Sequence, residues 1–147
     1  MAVKGFRPDR HSLAGILSLE TIKTRRDFLR AQKGERKFQP SLGLESCPTP
    51  PDLRRAGLAR AGFTASRKVG GAVERNRAKR RLRAAAAAIL PLYGREGRDY
   101  VLIARGATLT CPFVTLRDDL VRAIAYIHAA TDKKPMLPTP DANERKP

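Results

Sequence analysis

The residues of this chain best suited to chemistry lie in one run, Gly62 to Arg83, which reads GFTASRKVGGAVERNRAKRRLR. From Arg67 to Arg83, eight of seventeen residues are Arg or Lys and only Glu74 is acidic. Cations at that density suit phosphates, because arginine presents a planar fork to paired oxygens and lysine a mobile point charge. Written as a helix from about Ala72, the stretch puts Asn76, Lys79, Arg80 and Arg83 on one solvent-facing arc, and Ala78, Leu82, Ala85 and Ile89 on a separate apolar stripe. Arg67 and Lys68 form a corner before the helix, where free backbone N–H groups also favour anions. The plain alternative is a solvated charged helix. Such a helix would alternate its charges so that i,i+4 pairs offset repulsion, and this one does not. The run is read as a nucleic-acid surface.

Residues able to cut a phosphodiester are sparse. That reaction takes carboxylates clustered on metal ions, or a His acid and base. The chain has fourteen acids, and its closest pair, Asp118 and Asp119, diverges by about 100° on a helix. His11 falls in a loose N-terminal arm and His128 near a helix end, and both are read as solvated surface residues. Gly70-Gly71 lacks the Lys-Ser/Thr of a Walker loop. Cys47 and Cys111 have no zinc-type spacing and are too few for a disulfide framework, so they are read as incidental thiols in a reducing cytosol.

The elements that must position the basic run follow from composition and pattern. At 147 residues the chain fits one domain, and net charge +16 with pI near 11.0 points to nucleic acid or an anionic membrane. The membrane is disfavoured, because the basic helix opposes its charges to a narrow Ala-rich stripe without Trp or Phe. No run reaches the length of a membrane span. Lys4, Arg7 and Arg10 before Leu13 to Leu17 faintly mimic a signal peptide, but the apolar run is short and no small-residue cleavage site follows.

Residues 1–18 are expected to be a loose extension, 19–130 the domain, and 131–147 a disordered, basic, Pro-rich tail. Thr24 offers an N-cap with Asp27 three residues on, predicting a helix over 25–33 with Ile22, Phe28, Leu29 and Gln32 inward. Phe38 to Glu45 is broken by Pro40 and Gly43, so any strand there is at an edge or bulged. Leu58 to Ser66 alternates as a half-buried strand and leads into the basic helix, which runs to Pro91 or Gly94. Tyr100 to Ala104 reads as a strand covered on both faces. Pro112 begins a last helix whose Phe113, Leu116, Leu120, Ala123, Ile124 and Ile127 recur at helical steps. The expected fold is α+β: a small sandwich of a mixed sheet of about four strands with three helices, including a βαβ crossover through the basic helix.

The run G-F-T-A-S-R-K-V-G-x-A-V-x-R-N-R-x-K-R-R-L-R, with its core at Arg75-Asn76-Arg77, resembles the signature of the bacterial ribonuclease P protein component. Lys23-Thr-Arg-Arg-Asp27-Phe28 resembles that family's first helix and Asp99-Tyr-Val-Leu-Ile-Ala-Arg105 its last strand, so the resemblance covers about Leu19 to Ala130. It implies a non-catalytic protein subunit that binds the catalytic RNA subunit and the single-stranded 5′ leader of precursor tRNA. Such a subunit assists endonucleolytic removal of the leader and broadens substrate use. It implies RNA-subunit contacts from Arg67, Lys68, Arg75, Asn76, Arg77, Lys79, Arg80 and Arg83. A leader cleft between the sheet and the first helix would use Lys23, Arg25, Arg26, Phe28, Phe63, Ser66 and Arg105.

No cofactor is expected on the protein itself, with Mg2+ belonging to the RNA subunit and substrate. The location is cytoplasmic, with no membrane and no obligate protein partner. A crossover of this kind is ordinarily right-handed, whereas the resembled family implies a left-handed one.

Alternatives stand beside these roles. Arg75 and Asn76 can be structural, and Phe28 and Phe63 can be core residues rather than base platforms. The family often has Asn where this chain has Gly71, and aromatics in its first strand, where only Phe38 is near. A structural-RNA binder would share the charge and fold. A DNA-binding factor lacks a helix-turn-helix partner or zipper, and a stand-alone nuclease lacks the carboxylate cluster.

Overall fold

The computed structural model describes residues 16–133. In chain order the elements are β1 (Ser18–Thr21), α1 (Arg25–Gln32), β2 (Glu35–Phe38), β3 (Leu42–Pro48), β4 (Leu58–Thr64), α2 (Ala72–Tyr93), β5 (Arg98–Ala104), α3 (Gly106–Thr110) and α4 (Phe113–Lys133). The strands form one mixed sheet in the order β1-β4-β5-β3-β2. β4 pairs in parallel with β1 and β5, whereas β3 is antiparallel to both β5 and β2. The α+β sandwich and the parallel β4-α2-β5 unit stand as expected, with one more strand and one more helix.

The extra elements are short. β1 is four residues, SLET, mostly exposed, and carries no alternation to announce it. The stretch from Phe38 to Glu45 is the end of β2, a turn holding Pro40, and most of β3. Gln39 N–H donates to the Leu42 carbonyl at 2.7 Å to close the hairpin. β2 is therefore the edge, and β3 lies inside the sheet.

The register sorts side chains between two faces. On one, Leu42, Leu44, Ala61, Tyr100 and Leu102 pack with Ala78, Leu82, Ala85 and Leu90 of α2 and with Leu116, Leu120, Ile124 and Ile127 of α4. On the other, α1 covers a smaller cluster of Ile22, Ala31, Cys47 and Val101, with Phe28 and Ile103 partly buried. Phe113, expected inward on α4, is exposed, and its neighbour Arg117 lies over its ring at 5.8 Å.

α1 faces the sheet differently from expectation: Leu29 and Gln32 are exposed, while Asp27 and Ala31 are buried. The cause lies under the helix. Arg60 of β4 is buried and donates to both carboxylate oxygens of Asp99, at 2.9 and 2.8 Å, while its Nη2 lies 3.1 Å from Asp27. Thr49 adds a third hydrogen bond to Asp99 at 2.8 Å. Burial pushes the Asp27 carboxyl up, but the Thr24 hydroxyl, Arg30 and Arg60 together hold it below its usual value. A charged helix is thus docked by a buried cation rather than by a wide apolar stripe.

At the far end of the sheet, His128 is not a solvated residue. Its Nε2 lies 2.8 Å from the Tyr100 hydroxyl, which also accepts from the Arg95 N–H at 2.9 Å. Burial, reinforced by Arg95 and Arg98, pulls the imidazole down to about 4, so at neutral pH it is uncharged. Arg95 also clamps Asp132 through two bonds of 2.8 and 2.9 Å, and α4 runs on to Lys133, through residues expected to begin the tail. Leu17 is buried, and its N–H donates to the Pro91 carbonyl at 2.9 Å. Ser18, placed in the expected loose extension, is the first residue of β1, and residues 1–15 and 134–147, His11 included, lie outside the described residues. No helix among the described residues is long and apolar enough to cross a membrane.

Candidate nucleic-acid interface

The basic helix presents the predicted arc. Asn76, Arg77, Arg80 and Arg83 are exposed and Arg75 and Lys79 half-buried, while Ala78, Leu82, Ala85 and Ile89 go into the core. Among the described residues, none of Arg67, Lys68, Arg75, Arg77, Lys79 and Arg80 is in an ion pair, so their charge is turned outward uncompensated. Arg83 lies over the Phe63 ring, 5.2 Å from its centroid, which orients its guanidinium while leaving its charge exposed.

Two features of this run could not be read from charge alone. Gly70 has φ of +147°, and a Cβ there would stand 2.7 Å from the Cβ of Glu74. Glu74 folds back so that its carboxylate accepts from the Gly71 N–H at 3.0 Å. One donor of the helix start, expected to be open to anions, is therefore taken by the chain itself. Arg81, in the middle of the basic run, is turned inward and donates to the carbonyls of Thr108 and Cys111 at 2.6 and 2.7 Å. It ties α2 to α3 and has little left for a phosphate.

The second surface lies on the α1 side of the sheet. Register places Phe38, Gly43, Ile103 and Thr64 in one row across β2, β3, β5 and β4. α1 stands over the neighbouring row, with the Phe28 ring pressed on Gly62, where a Cβ would be 2.7 Å from its Cε1. Phe38 likewise lies on Gly43, where a Cβ would meet its Cε2 at 2.5 Å. The guanidinium carbons of Arg36 and Arg105 are each 5.5 Å from the Phe38 ring centroid.

A groove of about 420 Å³ opens beside that ring, lined by Phe38, Ser66, Lys68, Val69, Arg105 and their neighbours. Its far wall is fixed from behind. Arg105 N–H donates to the Thr108 hydroxyl at 2.9 Å, which donates to the Ser41 carbonyl at 2.5 Å. Ser41 in turn bonds the buried Asp119 through its N–H and hydroxyl at 3.2 and 2.7 Å.

The structure thus brings Ser66 and Arg105 together, with Lys68 from the corner joining them. Phe28 flanks the same face, and Lys23, Arg25 and Arg26 are exposed at the start of α1. Phe63 is separated from them, because it follows Gly62 in β4 and its side chain packs on the α2 side. Phe28 and Phe63 therefore do not line one cleft. The aromatic on the groove face is Phe38, with Arg36 beside it. Its alternation with Arg36 in a short edge strand was the signal, masked by Pro40.

The acids follow a structural logic. Asp119 is consumed by Ser41, whereas Asp118 is exposed. Among the described residues no group of three or more His, Cys, Asp or Glu is placed to hold a metal ion. Cys47 is buried under α1, and burial, with Asp99 nearby, pushes its thiol up to about 11.

Comparison with known proteins agrees with this architecture. The family model Ribonuclease P matches residues 18–128. The chain is 44% identical over 123 residues to the ribonuclease P protein component of Ruegeria pomeroyi, covering 83% of this chain and 97% of the relative. It is 43% identical over 117 residues to that of Caulobacter vibrioides, covering 80% and 76%. Among solved structures, the RNase P protein of Thermotoga maritima superposes with a TM-score of 0.57 at 25% identity, covering 70% of this chain and 93% of the other. That of Staphylococcus aureus superposes at 0.58 and 23% identity, covering 72% and 93%, a likeness of fold. The chain belongs to the ribonuclease P protein component family.

Proposed function

We propose that this chain binds the RNA subunit of ribonuclease P through the outer face of α2, and the 5′ leader of precursor tRNA through the groove beside Phe38. The observation that carries the reading is the meeting of two unlike basic surfaces at the Arg67–Lys68 corner. The helix is convex and densely cationic, the form suited to a folded RNA's phosphates. The groove joins an exposed aromatic ring to Arg105, Lys68 and Ser66, the combination that stacks a splayed base and holds its backbone. Stacking and charge do not read base edges, so leader contact tolerates varied sequence and broadens substrate use.

On this reading the protein's work is electrostatic. A ribozyme and its substrate repel one another, and clustered cations lower that cost. Hydrolysis and its Mg2+ belong to the RNA subunit and the substrate, and the site of action is the cytoplasm. The test is binding to ribonuclease P RNA across a salt series. Replacing Arg80 and Arg83 together with alanine weakens binding and flattens the log K against log salt slope by roughly one to two units. An unchanged slope would remove α2's outer face from the interface.

A further inference from the structure

We infer that the single-stranded RNA track does not end at Phe38 but crosses the outer edge of β2 and continues onto Tyr126 of α4. This rests on the leader reading of the groove. β2 is the last strand of the sheet, so among the described residues its outer side has no strand partner, and its sequence is Glu35-Arg36-Lys37-Phe38. Alternation turns Arg36 and Phe38 to the groove face and Lys37 to the opposite one. There the Lys37 ammonium lies 4.6 Å from the centroid of the Tyr126 ring. Two exposed aromatics, Phe38 at 41% and Tyr126 at 53%, therefore flank one edge strand, each with a cation over its ring.

The charge around this edge selects the occupant. Arg122, one turn before Tyr126 on α4, has a side chain 69% exposed although it touches Asp119. Glu45 pairs with Arg36, Glu35 with Arg98, and Asp119 with Ser41 and Arg122, while among the described residues Lys37 is in no ion pair. The edge thus offers an uncompensated ammonium beside exposed aromatic rings, each under a cation, which suits a polyanion with π-faces better than an acidic or aliphatic protein strand. The occupant is the part of the leader lying beyond the nucleotides held in the groove. Its phosphates meet Arg36, Lys37 and Arg122, and one base displaces Lys37 from the Tyr126 ring.

The experiment uses the reconstituted holoenzyme and precursor tRNAs whose leaders lengthen one nucleotide at a time. Wild type is expected to gain affinity in two stages, one as the groove fills and a later one of about fivefold as a base reaches Tyr126. Tyr126→Ala loses the later stage alone, Tyr126→Phe keeps it, and Lys37→Gln reduces it. Superimposable ladders for wild type and Tyr126→Ala overturn the proposal. So does a change in oligomeric state with Tyr126→Ala, which assigns the patch to a second copy of the chain. A wild-type ladder that is flat at every length instead refutes the leader reading on which the proposal rests.

Discussion

Replacing Arg60 with methionine tests what holds α1 over the sheet. The substitution keeps most of the side chain's volume and removes the guanidinium that bonds both oxygens of Asp99 and approaches Asp27. Asp99 is fully buried and Asp27 is 5% exposed, so two carboxylates are left in the interior with Thr49, Thr24 and Arg30 as their remaining partners. Removing one member of such a buried arrangement costs about 3–5 kcal/mol. Total stability for a domain of this kind is about 5–15 kcal/mol. With a slope of about 2 kcal/mol per molar of urea, the unfolding midpoint should fall by roughly 1.5–2.5 M.

The pH dependence supplies an independent sign. In the wild type, the Asp27 carboxyl is held below its ordinary value of 3.8, so its contribution is present above that pH and is lost as pH falls through the lower folded value. Without Arg60 the carboxyl loses two of the contacts that lower it and rises relative to the wild type, so protonation relieves the variant at a higher pH than it does the wild type. The gap between wild type and variant should therefore narrow as pH falls into the acid range where the variant's carboxyl is protonated and the wild type's is not. A loss below about 1 kcal/mol, or a gap that does not change with pH, would refute the reasoning that this cation docks the helix.

Other substitutions separate local roles. Gly43→Val should drive Phe38 off the sheet, since a Cβ has 2.5 Å to its ring, and leader-dependent affinity should drop to the level of Phe38→Ala. The double variant should then be no worse than either single one, as a binding cycle would show. Arg81→Ala should cost roughly 1.5–3 kcal/mol in urea unfolding, through two lost charge-assisted bonds, yet leave the salt slope for the RNA subunit unchanged. His128 binds protons more readily unfolded, near 6.5, than folded, near 4, so wild-type stability should fall as pH drops between those values. The loss should be about 1–2 kcal/mol after solvent screening, and His128→Gln should flatten that part of the profile.

What the sequence made legible was whatever repeats or is dense. The α2 arc and stripe follow from 3.6-residue geometry, and the strand–helix–strand order follows from the alternation of Leu58 to Thr64 and the apolar run after Asp99. The family signature fell on the same residues. What stayed hidden depends on partners far away in sequence. Asp27 reads as a capping residue until Arg60 and Asp99 are brought beneath it, and Arg81 counts only as one more cation of the basic run until the carbonyls of Thr108 and Cys111 reach it. Phe63 and Phe38 exchange places as groove aromatics because face assignment needs the register of β4 and β2, which Gly62 and Gly43 settle by making room for rings. β1 has no signal at all, being four mostly exposed residues whose strand character comes from pairing with β4.

The most direct measurement is cleavage of a precursor tRNA at low magnesium by the purified chain, by a bacterial ribonuclease P RNA, and by the two mixed. Cleavage at the mature 5′ end is expected only in the mixture. Cleavage by the chain alone, persisting after contaminating nuclease is removed, would contradict the placement of chemistry in the RNA. No cleavage in the mixture with RNA still bound would contradict the subunit role itself.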